Sequence, residues 1–447
     1  MSNRVFFGIL LLAATNLWGD NAADWMTWRG PNMMGVSPDG NPPIEWSETK
    51  NIVWKVRLVG DESNSTPVIV GDRIFFQTAV KTDKKAESAQ QQTAVQPADQ
   101  RRGPGRGKPT NIYRFNVVCL DRTSGRQIWE TTVCEMLPHE GHHNDHGFAS
   151  YSPITDGKLL WANFGSRGIY CLDFDGNMKW SRHFGPMTIR SGFGEGGSAA
   201  LAGDGLFVVR DHEGDSCILA LNKLTGETIW QKQRDEKTSW TTPIAAEVGG
   251  KQQIVVAGAN RTRAYDALSG QVIWECGGQT QNVIPTPVLG FGRIYCTSGF
   301  RGSMMQAIEL GRTGDLTGTD AVAWQITEAT PYVPSPLLYG DKLYFCSGIN
   351  PILSCVNAQT GAPYYLKKEL EQMKGIYASP VGAAGRVYLI GRNGVCYVLK
   401  NSDTLEVLAV NTLDDRFDCS PVVVGNRLYL KGKQYLYCIA DAAKQTP

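Results

Sequence analysis

The sequence predicts an all-β protein, an eight-bladed β-propeller built from four-stranded antiparallel blades. Three observations support this fold class. A short frame recurs in which a small residue, an Asp or Asn, a Thr-Gly or Ser-Gly turn and a Trp follow in order. A Ser/Thr-Pro pair comes ahead of each group of strands. A Gly followed closely by Arg or Lys and then apolar residues marks a further strand. Short strands at regular spacing are typical of propeller blades.

The recurring frame is clearest in Ala220–Trp230, which reads A-L-N-K-L-T-G-E-T-I-W. Matching copies occupy Cys119–Trp129 and Ala264–Trp274, a shorter copy runs Cys171–Trp180, and one that ends in Tyr runs Cys355–Tyr365. One such hairpin cannot bury its own apolar face, but several copies can do so by packing sheet against sheet. The frame therefore indicates a repeated supersecondary unit.

The Ser/Thr-Pro pairs give the number of units. They are Thr66-Pro67, Ser152-Pro153, Thr242-Pro243, Thr286-Pro287, Ser335-Pro336, Ser379-Pro380 and Ser420-Pro421, with Ser198-Ala199 filling the one gap. Eight such positions, at a period of about 40–50 residues, predict eight blades.

The last unit contains only three strands, at 421–424, 427–430 and 435–439. A fourth strand is available near the N-terminus, at 51–57, where Trp54 occupies the usual Trp position. Pairing the two ends in one blade removes a free sheet edge, which would otherwise invite aggregation. We therefore expect the N-terminal strand to close the last blade.

Residues 1–23 have the pattern of a secretory signal. Arg4 supplies a positive charge, and Val5–Ala14 form an apolar stretch that is too short to span a bilayer. The sequence therefore predicts an exported protein, periplasmic or extracellular, without a membrane span.

The remaining chain divides into an N-terminal arm at 24–50, the propeller at 51–440 and a C-terminal tail at 441–447. We expect Trp25 and Trp28 to anchor the arm across the outside of the blades.

Residues 81–110 interrupt the repeat. They hold charged residues, a Gln run and R-R-G-P-G-R-G-K-P, with almost no large apolar side chain. Such a segment cannot bury enough surface to offset the entropy of ordering. We expect a disordered insertion in blade 1, between its second and third strands.

The charge of the chain is balanced, with 44 Lys and Arg against 43 Asp and Glu. This balance argues against a nucleic-acid partner and against a polybasic membrane anchor. We expect a monomer.

Five of the eleven cysteines occupy the repeat position that holds Ala220 or Ala264 in other blades. They are Cys119, Cys171, Cys355, Cys396 and Cys438. We expect them to be small buried apolar residues, too far apart to bridge one another. The remaining six could include a disulfide pair.

In a propeller, the connections between blades and the turns between second and third strands open on the same face. Nearly every long or charged loop of this chain belongs to that face, which we call the decorated face. Its candidate ligand-binding residues are Arg167, Arg190, His212, Arg261, Arg301 and Arg392. Guanidinium groups suit carboxylates, sulfates and phosphates, although each Arg could instead pair with a neighbouring acid.

One loop of the decorated face is rich in histidine. It reads Pro138-His-Glu-Gly-His-His-Asn-Asp-His-Gly-Phe, and we call it the His loop. Its candidate metal ligands are His139, His142, His143, Asp145 and His146. These side chains suit zinc, copper or nickel. A loop held by ordinary hydrogen bonds is the alternative.

The repeated frame resembles the tryptophan-docking repeat of pyrroloquinoline quinone (PQQ)-type propellers. The segments Trp28-Arg-Gly-Pro-Asn and Tyr332-Val-Pro-Ser-Pro are similar to those of secreted bacterial PQQ-binding-like propellers. The resemblance covers about 25–439 and implies the propeller fold. This group includes quinoprotein alcohol dehydrogenases and a non-catalytic branch with an outer-membrane assembly lipoprotein. The resemblance therefore leaves function open.

A quinoprotein dehydrogenase would imply a vicinal Cys-Cys pair, calcium held by acidic and amide ligands, and a catalytic Asp. No Cys-Cys pair occurs in the sequence, and the calcium ligands map onto no local motif. We expect a non-catalytic binding or scaffold protein whose partner is a protein, an anionic glycan or a small molecule.

Two enzymatic alternatives remain. The first is a PQQ- or metal-dependent oxidoreductase, and the second is polysaccharide hydrolysis or lyase chemistry through the His loop. The state of the propeller axis discriminates between the binding protein and the oxidoreductase, because it could be open and lined by Arg or packed by apolar side chains.

Overall fold

The computed structural model describes residues 24–60, 63–86 and 107–441. In these ranges the chain forms β-strands and two 3-10 turns, Gly165–Arg167 and Arg190–Gly192. No helix in the described ranges has the length and apolar character needed to cross a membrane.

The described strands form eight sheets, which confirms the predicted propeller. Two strands, β1 (Val36–Ser37) and β2 (Ile52–Arg57), come before the first blade. Blade 1 comprises β3 (Val68–Val70), β4 (Arg73–Lys85), β5 (Asn111–Asp121) and β6 (Gln127–Met136). Blade 2 comprises β7 (Ile154–Thr155), β8 (Leu159–Asn163), β9 (Ile169–Asp173) and β10 (Met178–Arg182). Blade 3 comprises β11 (Ala200–Ala202), β12 (Gly205–Arg210), β13 (Cys217–Asn222) and β14 (Thr228–Gln233). Blade 4 comprises β15 (Ile244–Val248), β16 (Lys251–Val256), β17 (Thr262–Asp266) and β18 (Val272–Cys276).

The second half of the propeller repeats this order. Blade 5 comprises β19 (Val288–Gly290), β20 (Arg293–Ser298), β21 (Met304–Glu309) and β23 (Val322–Ile326), with β22 (Gly314–Asp315) lying parallel to β18. Blade 6 comprises β24 (Leu337–Tyr339), β25 (Lys342–Cys346), β26 (Ile352–Asn357) and β27 (Pro363–Glu369). Blade 7 comprises β28 (Val381–Ala383), β29 (Arg386–Ile390), β30 (Val395–Lys400) and β31 (Val407–Thr412). Blade 8 holds β32 (Val422–Val424), β33 (Arg427–Lys431) and β34 (Tyr435–Ile439).

The N-terminal strand closes blade 8, as predicted. Strand β2 pairs antiparallel with β34 and completes the order β2-β34-β33-β32. Trp54 faces Cys438 in this pair, just as Trp230 faces Ala220 in blade 3. The last blade thus gains the same fourth strand as the others.

In most blades the repeated Trp forms a hydrogen bond to the next blade. The Trp230 indole N–H donates to the Ala267 carbonyl of the following blade at 3.0 Å, and Trp129 does the same to Phe174 at 2.8 Å. A Cβ at Gly270, in the next blade's turn, would lie 2.7 Å from the Trp230 ring. Gly270 also has a φ of 68°, which favours glycine. The Gly and the Trp of the Thr/Ser-Gly-x-x-x-Trp frame are therefore the residues through which neighbouring blades contact each other.

The hydroxyls of the Ser/Thr-Pro positions form a closed ring of hydrogen bonds. Each accepts the backbone N–H of the corresponding residue in the preceding blade, at 2.9–3.3 Å. The last of these runs from the Ser420 N–H to the Thr66 hydroxyl and joins blade 8 to blade 1. We call these residues the Ser/Thr ring: Thr66, Ser152, Ser198, Thr242, Thr286, Ser335, Ser379 and Ser420.

The N-terminal arm lies inside the propeller, so the expectation that it crosses the outside is wrong. Neighbouring first strands contact one another, as β11 does β15, which makes them the innermost strands. Strand β1 pairs parallel with the open edge of β28, and fully buried Trp25 pairs with Ile69. The physical reason is packing. A propeller has a central channel, and the large side chains of the arm fill it to the density of a protein interior.

The hairpin of β4 and β5 extends into the predicted disordered insertion at 81–110. Lys85 still pairs with Asn111. The Thr82 hydroxyl donates to the Ile112 carbonyl at 2.7 Å, which adds a side-chain bond to the strand pair. Residues 87–106 lie outside the described residues.

All eleven cysteines lie in the described ranges, and none forms a disulfide. The five at the repeat position are buried, as expected. Cys119 and Cys438, for example, have no exposed surface and face Trp129 and Trp54 across their strand pairs.

We predict that Ser379→Ala lowers the free energy of unfolding by about 1–3 kcal/mol, because the buried Ser335 N–H loses its acceptor. Urea denaturation measures this change. Ser379→Thr is the matched control, because threonine keeps a hydroxyl and serves the same purpose at Thr242. A loss in the Thr variant as large as in the Ala variant would contradict the hydrogen-bond explanation.

Candidate functional site

The propeller axis opens on the decorated face as a cavity of about 390 Å³, which we call the axial cavity. Its floor is made by Trp28 of the arm and by seven of the eight residues of the Ser/Thr ring. Its aromatic wall residues are Phe193, Trp240, Phe300, Tyr332 and Tyr377. Cavities of this size and apolar character are typical of small-molecule sites.

The wall is built from one residue per blade. The residue two positions before each member of the Ser/Thr ring lines the cavity. We call this set the upper tier: Asn64, Ser150, Gly196, Trp240, Ile284, Val333, Tyr377 and Asp418. Alternate residues of an extended chain point to the same side, so a ring at one position places a second ring two residues earlier.

The His loop covers one side of the cavity. His143, Asp145 and His146 line it. His146 Nδ1 accepts the Gly147 N–H at 2.9 Å and lies 2.5 Å from the Ser150 hydroxyl. Both contacts are satisfied when the Ser150 hydroxyl donates to Nδ1 and the neutral ring carries its proton on Nε2. Burial, together with nearby His142 and Lys433, lowers the pKa of His146 to about 3. His146 is therefore a neutral hydrogen-bond donor at the cavity wall near pH 7.

The five predicted metal ligands do not converge on one point, although His143 and Asp145 contact each other. His139 Nε2 lies 2.7 Å from the Met187 carbonyl, His142 Nδ1 lies 2.8 Å from the His143 carbonyl, and His143 Nδ1 accepts the Asp145 N–H at 3.2 Å. Across the described ranges, no three His, Cys, Asp or Glu side chains are grouped to hold a metal ion. Metal binding at the His loop stays a prediction, and it would require side chains to reorient.

Asp145 ties the His loop to blades 7 and 8. Its carboxylate accepts hydrogen bonds from Arg392 at 2.7 Å and from Arg416 at 2.6 Å. Asp418 accepts a further bond from Arg392 at 2.7 Å, and Arg392 stacks over Tyr377 at 3.9 Å from the ring centre. Charge-assisted bonds of this kind are strong and directional. They hold the carboxylates and Tyr377 in fixed places on the wall.

Arg167, another predicted ligand residue, has a structural environment. Its buried guanidinium pairs with Glu195 at 2.9 Å and donates to the Phe148 carbonyl at 3.2 Å. The Ser166 N–H donates to the same Glu195 carboxylate at 2.7 Å. This pair joins the His loop to the following inter-blade loop.

The other predicted residues lie at varying distances from the cavity. Arg301 is exposed and stacks on Phe300, which in turn stacks on Tyr332 in the cavity wall. Arg190 donates to Asn282 at 3.3 Å. Arg261 forms an ion pair with Asp315 at 2.9 Å, and neither residue lines the cavity. His212 Nδ1 accepts the Gly214 N–H at 3.1 Å. Thus Arg392 and Arg301 lie directly behind wall residues.

Sequence reasoning missed the upper tier and the aromatic wall. The signal was present, because every Ser/Thr-Pro position marks a cavity residue two places earlier, as Trp240 precedes Thr242. Trp28 was also missed as the floor, since nothing in its local sequence shows that the arm turns inward. The recurring Arg residues indicated the correct face of the propeller. Most of them, however, pair with neighbouring carboxylates and do not line the cavity.

We predict that Arg167→Met costs about 3–5 kcal/mol of unfolding free energy, because it leaves the buried Glu195 carboxylate without its guanidinium. Arg301→Met is the matched control and should stay within about 0.5 kcal/mol of the wild type, because Arg301 is exposed. Chemical denaturation of both variants measures this. Equal stability of the two variants would mean that Arg167 has no structural role.

Comparison with known proteins places the chain among propellers of this type. The family model described as "Outer membrane protein assembly factor BamB" (PQQ_2) matches residues 114–365. No curated protein sequence matches significantly. Among solved structures, BamB from Moraxella catarrhalis has 14% identity and a TM-score of 0.51, over 83% of this chain and 99% of that one.

Two enzymes also align. Quinohemoprotein alcohol dehydrogenase from Comamonas testosteroni has 13% identity and a TM-score of 0.49, over 96% of this chain and 82% of that one. A europium-containing methanol dehydrogenase has 12% identity and a TM-score of 0.47, over 94% and 98%. Identities this low speak to the fold alone, and the two enzymes' TM-scores are too low to support an argument about function. The family model, by contrast, covers more than half of the chain, and the chain belongs to the family of PQQ-like repeat β-propellers that this model describes.

Proposed function

We propose that this chain is an exported, non-catalytic binding protein that holds its ligand in the axial cavity of the decorated face. The observation that carries the proposal is the cavity itself, whose wall is an ordered tier of one side chain per blade. Binding residues are commonly carried on loops positioned by a rigid scaffold. The Ser/Thr ring and the arm supply that scaffold directly beneath the cavity.

The residues that fill and line the propeller axis favour ligand binding over redox chemistry. The channel is filled by the arm, and no Arg side chain is among the residues that line the cavity. The aromatic and aliphatic residues of the upper tier lie on consecutive blades, as Trp240, Ile284, Val333 and Tyr377 do. The axis is therefore neither an Arg-lined channel nor fully packed, and its arm and apolar wall favour a binding protein.

The cavity residues do not fit PQQ held with calcium. Within the described ranges there is no group of three acidic, His or Cys side chains for a metal, and no Cys lines the cavity. The two wall carboxylates, Asp145 and Asp418, already accept hydrogen bonds from Arg392.

The family name supports the same proposal. The description "outer membrane protein assembly factor" denotes an assembly role rather than a chemical reaction. By analogy, we propose that this chain acts as a monomer, outside the cytoplasm in the periplasm or extracellular space. Its partner is a small molecule, a glycan or an exposed segment of a protein that inserts into the axial cavity.

We predict that PQQ causes no saturable tryptophan quenching up to high micromolar concentration, with or without calcium. In the described ranges, no group of three His, Cys, Asp or Glu side chains could hold the calcium ion that accompanies PQQ. The Asp145 carboxylate on the wall is already bonded to Arg392. Trp28 and Trp240 line the cavity and would report its binding by fluorescence. A dye-linked alcohol oxidation assay on the same samples should show no turnover.

A known quinoprotein dehydrogenase, run in parallel with the same PQQ stock, controls for inactive reagents. Saturable quenching of this chain together with alcohol-dependent dye reduction would overturn the non-catalytic proposal and establish an oxidoreductase.

A further inference from the structure

The wall of the axial cavity offers no cation to an anionic ligand. The side chains that line it include the Asp145 and Asp418 carboxylates and, among the described residues, no Arg or Lys. The two wall histidines are neutral, because Nδ1 of His143 and Nδ1 of His146 each accept a backbone N–H, at 3.2 and 2.9 Å. An anion would therefore lose its hydration beside two carboxylates without gaining a positive partner.

A cationic ligand would find the wall carboxylates already paired. Asp145 accepts hydrogen bonds from Arg392 at 2.7 Å and from Arg416 at 2.6 Å. Asp418 accepts a bond from Arg392 at 2.7 Å. The same Arg392 guanidinium stacks over the Tyr377 ring, 3.9 Å from its centre. A further cation would be repelled by these guanidinium groups, so the cavity disfavours either sign of charge.

The aromatic wall offers a neutral ligand a surface for stacking. Trp240, like the other aromatic wall residues, is half-buried and lines the cavity. Its indole N–H donates to the Gly194 carbonyl at 2.8 Å, which fixes the orientation of the ring. An added Cβ at Gly196 would lie 3.1 Å from Trp240 Cδ1 and 3.6 Å from His146 Nε2. The absence of a side chain at Gly196 thus leaves space beside the Trp240 ring and the His146 donor.

The floor of the cavity offers several hydrogen-bond donors. Each hydroxyl oxygen of the Ser/Thr ring accepts one backbone N–H, as Ser152 Oγ does from Thr66 at 2.9 Å. Among the hydrogen bonds of the described residues, none uses a ring hydroxyl as donor. These hydroxyls are buried, and seven of them line the cavity. The matching ligand therefore carries several oxygen acceptors close together.

We infer that the axial cavity binds a neutral saccharide through one of its pyranose rings, and this inference rests on the proposed binding function. A pyranose is uncharged, and it combines a rigid face of C–H groups with an edge of hydroxyl oxygens. The C–H face packs on Trp240, and the oxygens accept hydrogen bonds from the Ser/Thr ring and from His146. A purely aromatic ligand would fit the wall but would leave most of the floor donors unused.

Isothermal titration calorimetry of the chain tests this inference with matched ligands. The probes are the methyl pyranosides of glucose, galactose and mannose. Each is compared with its uronate, which adds a carboxylate, and with its open-chain alditol, which keeps the hydroxyls but lacks a rigid C–H face. We expect at least one pyranoside to bind about tenfold more tightly than its own uronate and its own alditol.

Three results of this titration would overturn the inference. The first is that no pyranoside binds at about 10 mM. The second is that the uronate or the alditol binds as tightly as the parent pyranoside. The third is that benzyl alcohol, which offers an aromatic ring and a single hydroxyl, binds more tightly than every pyranoside.

Two substitutions at Trp240 test the stacking surface. Trp240→Ala removes the ring and should weaken pyranoside binding about tenfold, whereas Trp240→Phe keeps a ring face and should stay within about threefold of the wild type. Both variants lose the hydrogen bond to the Gly194 carbonyl. An equal loss of binding in the two variants would therefore assign Trp240 a structural role and contradict stacking.

A third variant fills the cavity without removing any contact. Gly196→Ala places a methyl group beside Trp240 and His146 and should weaken pyranoside binding about tenfold. Gly107→Ala is the matched control, because an added Cβ there meets nothing within 4 Å. Pyranoside binding that is unchanged in both Gly196→Ala and Trp240→Ala would place the site elsewhere and overturn the inference.

The sugar titrations and the PQQ assay fail independently of each other. Failure of every pyranoside removes the saccharide and leaves the proposed non-catalytic function standing, whereas turnover with PQQ removes that function whatever the sugars do.

Discussion

The closed ring of hydrogen bonds between backbone N–H groups and Ser/Thr hydroxyls is the interaction on which the rest of this structure depends. It connects each blade to the next at the start of its innermost strand and joins Ser420 of the last blade to Thr66 of the first. Each bond contributes only about 1 kcal/mol, but the ring closes on itself, so every blade has a fixed place around the axis. The upper tier, and with it the cavity wall, follows from that placement.

The N-terminal arm completes what the ring begins. Its buried Arg29 donates to the Met34 carbonyl at 3.1 Å and to the Pro336 carbonyl of blade 6 at 2.8 Å. Burial lowers the pKa of Arg29 to about 9. The same arm pairs with the inner edges of blades 1 and 7 and places Trp28 under the cavity. The arm thus turns an axial channel into a pocket with a floor, open toward the decorated face.

Most of the fold could be predicted from the sequence because its rules are local and repeated. Thr-Gly turns, docking Trp residues and Ser/Thr-Pro pairs each reflect a contact that recurs in most blades, so their spacing gave both the blade number and the closure by Trp54. The position of the arm could not be predicted in this way. The apolar character of Trp25 and Trp28 indicates burial, but the inside and the outside of a propeller are both able to bury them.

The site was harder to predict from the sequence than the fold, because its residues have no distinctive local pattern. An Arg on a loop has the same local sequence whether it faces a ligand or a carboxylate, and only tertiary structure separates buried Arg167, paired with Glu195, from exposed Arg301. The His loop likewise contains good metal ligands whose side chains point to different partners. The wall residues could have been predicted, because side chains two residues apart in an extended chain point to the same side, which relates the wall to the Ser/Thr ring.

Native-state hydrogen exchange of the Ser/Thr ring amides tests the central claim most directly. If the ring organises the propeller, the N–H groups of Thr66, Ser198, Ser335 and their equivalents should exchange only through global unfolding, with the same protection in every blade. Their exchange should be far slower than that of the decorated-face loops. Exchange of the ring amides at the rate of the loops, or independently in different blades, would contradict the account.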